Sequence, residues 1–155
     1  MGAGVGELPH SRSLRRGRFS QAEQIYLLTM VTLDRSPVFA ELVAAREVVK
    51  AMHRPSVVSA VETLAFVVMP DHVHWLVQLK DAVHLAEAVR RFKARVSLAL
   101  GGPVWQRGFH DHALRGEEDV VVAARYIVAN PVRAGLVQRA GNYSHWDAVW
   151  LGDDV

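Results

Sequence analysis

Cysteine is absent from all 155 residues, which excludes disulfide frameworks, thiolate zinc sites and thiol nucleophiles. Long apolar runs are missing too. None nears the roughly 20 residues a membrane-spanning helix needs, and the charged N-terminus lacks the apolar segment of a secretory leader. These absences set the expectation of a soluble, cytoplasmic protein with no membrane partner. Lysine is scarce, at three residues against 15 arginines. Acids are scarce at the start, where Glu7 is the only one before Glu23. What remains is an ordinary globular composition, 50% hydrophobic and 22% charged. It predicts one domain over residues 21–155, preceded by a loose basic arm over residues 1–20.

Net charge is only +2, yet the arginines cluster. Arg12, Arg15, Arg16 and Arg18 crowd the arm, and Arg90, Arg91, Lys93 and Arg95 crowd one predicted helix. The planar guanidinium fork suits phosphate, so an anionic polymer is one reading of this pattern. A solvated helix face beside a disordered arm is the other, and charge alone does not choose between them.

Hydrophobic patterning gives the order strand, helix, strand, strand, helix, strand, helix. Ile25 to Leu33 is strongly β-prone. Ser36-Pro37 predicts a helix start, apolar residues from Phe39 to Met52 recur at helical spacing, and Pro55 marks the end. Glu62 to Met69 and His72 to Leu79 read as a hairpin around a Pro70-Asp71 turn. Asp81 is the expected cap of a second helix that stops at Gly101-Gly102-Pro103. Trp105 to Leu114 leads into a fourth strand. Glu117, Glu118 and Asp119 open a third helix, which Pro131 is expected to stop by Asn130. The remainder, with Tyr143, Trp146 and Trp150, reads as a tail packed on the body. This order predicts an α+β fold of the ferredoxin-like split βαβ type, an antiparallel sheet with helices packed on one face.

Two segments carry chemistry. In His72-Val73-His74 the alternation of a strand puts both imidazoles on one side and Val73 and Trp75 on the other, which makes half of a metal site. On the last helix Tyr126 and Asn130 are four residues apart and share a stripe with Asp119 and Val122. Facing the histidines, they would supply a nucleophile and an amide ligand, leaving open positions on Mg²⁺ or Mn²⁺ for water and a phosphate oxygen. A phenol is a poor nucleophile at neutral pH, but metal and cations polarising the phosphate make it competent. The product is a phosphotyrosine ester that keeps the energy of the broken bond, so rejoining needs no nucleotide cofactor. Each piece also has a plainer account: an incidental His-x-His, a half-buried helix tyrosine, an asparagine ending a helix before proline. Residue types and spacing leave both accounts standing.

The wording of these blocks resembles that of single-tyrosine HUH transposases. Val68-Met69-Pro70-Asp71-His72-Val73-His74 is similar to their two-histidine motif. Trp105-Gln106-Arg107-Gly108-Phe109-His110-Asp111-His112 and Arg125-Tyr126-Ile127-Val128-Ala129-Asn130-Pro131-Val132-Arg133-Ala134-Gly135-Leu136 are similar to two further blocks. The likeness runs from about Arg16 to Trp150 and is strongest to the REP-associated tyrosine transposases. It implies an HUH-type endonuclease fold, with His72 and His74 as metal ligands, Tyr126 as nucleophile and Asn130 as a third, amide-bearing ligand. It further implies cleavage of single-stranded DNA beside a hairpin, a 5′-phosphotyrosine intermediate and Mg²⁺ or Mn²⁺ as cofactor. A monomer or homodimer fits the group. Asp71 departs from the asparagine usual before the first histidine, and capping the turn is its expected role.

DNA contacts are expected from Arg12, Arg15, Arg16 and Arg18, from Arg90, Arg91, Lys93 and Arg95, and from Trp105, Arg107, His110 and His112. Trp105, Arg107 and Phe109 interleave aromatic and cationic groups as single-strand stacking surfaces do, with core packing as the alternative for both aromatics. A four-histidine zinc site that adds His110 and His112 would be closed to substrate. Two rivals to the strand transferase are a domesticated DNA-binding protein that no longer cleaves and a phosphodiesterase that uses activated water. Cyclic phosphodiesterases with paired His-x-Thr motifs do not fit, because neither histidine pair has a hydroxyl residue at that spacing.

Overall fold

The computed structural model describes residues 23–80, 83–139, 143 and 145–148. The arginines at 12, 15, 16 and 18, the expected cap Asp81 and Trp150 lie outside them. The elements run β1 (Ile25–Val31), α1 (Leu42–Met52), α2 (Pro55–Val58), β2 (Val61–Met69), β3 (His72–Leu79), α3 (Leu85–Leu100), β4 (His110–Leu114), α4 (Glu117–Arg133) and β5 (Trp146–Ala148). The strands form one antiparallel sheet in the order β4-β1-β3-β2-β5. Its first four strands have the order expected of a split βαβ fold. The tail expected after α4 contributes β5 at the sheet edge, and Tyr143 packs on the body and donates to the Val68 carbonyl at 2.6 Å.

Helices cover both faces of the sheet, where the sequence reading placed them on one. Leu28, Met30, Val73, Trp75 and Val77 point toward α1 and α3, meeting Val48, Met52, Val89 and Phe92. Trp75 and Phe92 pack at 4.7 Å between centroids with their rings tilted by 40°, and the Trp75 indole donates to Thr63 Oγ1 at 2.9 Å. The other face buries Leu64, Val67, Met69 and Leu76 against Val120, Ala124, Ile127 and Val128 of α4. The physical cause is visible in β2, where Leu64 through Met69 are all buried. A strand with no polar alternation needs cover on both sides.

Local boundaries shift for identifiable reasons. Ser36-Pro37 leads only into a 3₁₀ turn at Val38–Ala40, and α1 begins after Glu41. Pro55 does not end α1; it opens α2 at a first-turn position, where its missing N–H costs nothing. His84 caps α3, and Gly101 ends it in the left-handed conformation at φ +80°. Most consequential is α4, which runs through Pro131 to Arg133 instead of stopping at Asn130. Buried Pro131 is held in the helix by bonds beyond it, from Ala134 N–H to Asn130 O and from Leu136 N–H to Pro131 O. Tertiary packing here overrides the pre-proline preference. Among the described residues no helix is long and apolar enough to cross a membrane.

Candidate active site

The histidine pair sits on the α4 face of the sheet. β3 pairs His74 with Thr29 of β1 and with Val67 of β2, so these three share one row and one face. His72 occupies the next row between Val31 and Met69. The imidazoles lie edge to face at 4.8 Å between centroids, on the same side as the strand alternation requires.

Each ring is fixed through its Nδ1. The Asp71 carboxylate lies 2.7 Å from His72 Nδ1 and bonds Arg35 Nε at 3.2 Å through its other oxygen. Asp71 therefore orients a histidine with its side chain and serves the turn with its backbone carbonyl. That carbonyl accepts the Thr32 N–H and hydroxyl, each at 3.0 Å, and the carboxylate, expected to cap the turn, bonds the Asp71 backbone and also orients His72. Thr29 Oγ1 is 2.9 Å from His74 Nδ1. With Nδ1 engaged on both rings, Nε2 is the nitrogen left free to coordinate a metal when Nδ1 carries the proton, as outer-sphere partners arrange in metal-binding histidines. Burial, then the charges of His72 and Arg133, hold His74 down to about 4, so at neutral pH its imidazole is uncharged, the form a metal ligand needs. Asp71 is partly buried, which raises it, but the His72 hydrogen bond and the charges of His72 and Arg35 outweigh this and leave it below its ordinary value.

Helix α4 brings Tyr126 to this pair. Its ring meets that of His74 at 5.5 Å between centroids, edge-on, with 41% of the residue exposed. Arg133, two turns later, sets its guanidinium carbon 4.0 Å from the Tyr126 ring centroid. Asn130 shares the stripe but is buried. Two imidazole nitrogens, donors of borderline softness, with the buried Asn130 amide on the helix that faces them, could hold a divalent cation such as Mn²⁺ or Mg²⁺ with positions left for water and phosphate.

The remaining predicted residues divide by location. His110 and His112 are exposed on β4 and share the histidine-pair face, but His110 pairs with Thr29, which puts it two strands, roughly 10 Å, from His74. Among the described residues no three His, Cys, Asp or Glu side chains gather into a metal-binding cluster, so the two histidine pairs do not merge into a closed site. Helix α3 lies on the opposite face, and Arg90, Arg91, Lys93 and Arg95 are not brought to the histidines. Arg90 and Arg91 pair with Glu87, and Arg91 also reaches the Ser56 carbonyl. Half-buried Lys93 donates to the carbonyls of Gln106 and Gly108. Trp105 packs on Phe39 and Phe92 at 5.4 and 5.8 Å, and Phe109 packs on the same core, while Arg107 is exposed. Core packing, not an open stacking surface, is the setting of both aromatics. Sequence reasoning missed Thr29 and Arg133. Thr29 carries no sequence signal, whereas Arg133 sits seven residues after Tyr126, the spacing of two helical turns.

The sequence matches the family described as Transposase IS200 like over residues 20–130. It is 31% identical over 84 residues to the REP-associated tyrosine transposase of Escherichia coli, covering 53% of this chain and 51% of that protein. A Haemophilus influenzae protein provisionally described by the same name is 30% identical over 93 residues, covering 50% and 53%. The matched region thus spans about half the length of these curated relatives. The fold aligns with a REP-associated tyrosine transposase solved bound to a REP hairpin, at TM-score 0.68 and 25% identity, over 83% of this chain and 79% of that one. On its family match and on this fold, the chain belongs to the IS200-like transposases, with its likeness directed to their REP-associated tyrosine branch.

Proposed function

We propose that the chain cleaves and rejoins single-stranded DNA beside a hairpin, with Tyr126 as nucleophile and a divalent metal as cofactor. The observation that carries this reading is the packing of the Tyr126 ring against His74, while Asp71 and Thr29 orient the two imidazoles. The relative solved with a REP hairpin supports hairpin DNA as the partner.

His72 and His74 would hold the metal, with the Asn130 amide as a third ligand. Mg²⁺ or Mn²⁺ bound there would supply charge to polarise the scissile phosphate. Tyr126 Oη attacks phosphorus and the P–O3′ bond breaks. The phenolic proton passes to water and the 3′-oxygen takes one from water, leaving a 5′-phosphotyrosine ester and a free 3′-hydroxyl. Reversal by another 3′-hydroxyl joins strands without a nucleotide. Exposed His110, His112 and Arg107 are suited to guide the strand from the β4 edge, and Arg12, Arg15, Arg16 and Arg18 have the chemistry to hold phosphates.

The test is a denaturing-gel adduct assay with labelled hairpin DNA from the flanks of the gene. Wild-type protein is expected to give a covalent band with Mg²⁺ or Mn²⁺, lost with chelator and in Tyr126→Phe, which still binds. Binding without adduct or cleavage would indicate a domesticated DNA-binding protein. Cleavage that survives Tyr126→Phe would indicate water as nucleophile.

A further inference from the structure

From the geometry around Tyr126 we infer that Arg133 holds the scissile phosphate and positions the phenol for attack on it. This rests on the reading of Tyr126 as nucleophile. The guanidinium carbon lies 4.0 Å from the ring centroid, well inside cation–π range. Among the described residues no carboxylate pairs with Arg133, in contrast to Arg90 and Arg91, which share Glu87. Arg133 is exposed, so its donors are accessible to a strand arriving at Tyr126. A guanidinium can contact a ring and still present N–H groups to phosphate oxygens, a dual task that lysine performs poorly.

The path of α4 is what makes this contact. A helix ending at Asn130 would release Arg133 into a loop, whereas continuation through Pro131 fixes it two turns beyond Tyr126. Arg133 thus borders the nucleophile, whose ring in turn meets His74. As Tyr126 Oη bonds to phosphorus and the P–O3′ bond breaks, with the phenolic proton and the proton taken up by O3′ both exchanged with water, charge accumulates on the phosphoryl oxygens. Fixed donors at that point lower the barrier.

The experiment has two arms, each with wild type, Arg133→Gln, Arg133→Lys and the control Arg54→Gln, an exposed arginine before α2 on the other face. Circular dichroism and thermal melting confirm that each variant folds. In the first arm, adduct formation on hairpin DNA with Mn²⁺ is followed in single turnover. Arg133→Gln is expected to lower the saturating rate about 100-fold with a much smaller change in half-saturating DNA, and Arg133→Lys to recover only part of the rate.

In the second arm, all variants carry Tyr126→Phe, and DNA affinity is measured against salt. Arg133→Gln is expected to reduce the logarithmic salt slope by about 0.7, the share of one single-strand phosphate contact. That difference should vanish when one particular phosphate flanking the hairpin is replaced by methylphosphonate. An unchanged salt slope, full recovery by lysine in the first arm, or no DNA binding by the wild type would overturn the inference. A reduced slope in a protein that forms no adduct would instead sink the cleavage reading and leave the phosphate contact standing.

Discussion

His74 and Tyr126 of the same chain meet edge-on at 5.5 Å between ring centroids. A single copy therefore carries both the histidine pair and the tyrosine. If this is the working arrangement, mixing His74→Ala with Tyr126→Phe should not restore adduct formation, because neither chain holds a complete site. Recovery of about a quarter of wild-type activity in an equimolar mixture, the yield of random pairing, would show that the tyrosine is exchanged between subunits.

Asp71 gives a test that does not depend on turnover. Its carboxylate fixes His72 through Nδ1 and is itself held by Arg35. Asp71→Ala should weaken Mn²⁺ binding about 10- to 100-fold, measured by the free-ion electron paramagnetic resonance signal. Arg35→Ala should weaken it less, since the Asp71–His72 bond persists. Equal affinity in wild type and Asp71→Ala would reduce Asp71 to a turn residue.

Acid sensitivity follows from His74. Its folded-state value is lowered from 6.5 to about 4, chiefly by burial. Between these values the unfolded chain binds more protons than the folded one, so stability rises with pH across this window. The full effect is present above 6.5 and is lost as pH falls to about 4, a difference of about 3 kcal/mol. His145, also lowered by burial and by Arg46, acts in the same direction. The diagnostic quantity is therefore the difference between wild type and His74→Gln in chelator, by urea denaturation at pH 7 and pH 4.5. Wild type should lose more stability than the variant on acidification; parallel losses would mean that His74 is solvated.

How much of this was legible in the sequence depends on the range of the interaction involved. The limits of β3 and the shared face of His72 and His74 follow from a turn and a two-residue period, both local. Within the strand expected over Glu62 to Met69, the unbroken apolar run Leu64 to Met69 demands cover on both faces, which a sheet covered on one face does not give. The end of α4 lies three residues beyond the Asn130 that the pre-proline rule indicates, because the burial of Pro131 decides. Thr29 lies 45 residues from His74 and meets it only through strand register, which no local pattern encodes. Asp71 was visible as a neighbour of His72, but whether its carboxylate turned to the backbone or to the ring is set by side-chain geometry.

Lys93 separates composition from structure most sharply. As one of four basic residues on a helix it reads as a phosphate contact, yet its ammonium is half buried and spent on the carbonyls of Gln106 and Gly108. Burial lowers its pKa, as expected for a cation withdrawn from water, and its ammonium also lies 5.9 Å from the Trp105 ring centroid. Lys93→Met keeps most of the length of the side chain and removes both hydrogen bonds, leaving the two carbonyls to find water. It should cost about 1–3 kcal/mol of unfolding free energy. It should also speed amide hydrogen exchange in the segment between α3 and β4 while leaving the salt dependence of DNA binding unchanged. A shallower salt slope with unaltered stability would return Lys93 to the DNA surface. The contrast with Arg133, whose loss should change the slope and not the fold, makes the pair a direct measure of which cations the strand meets.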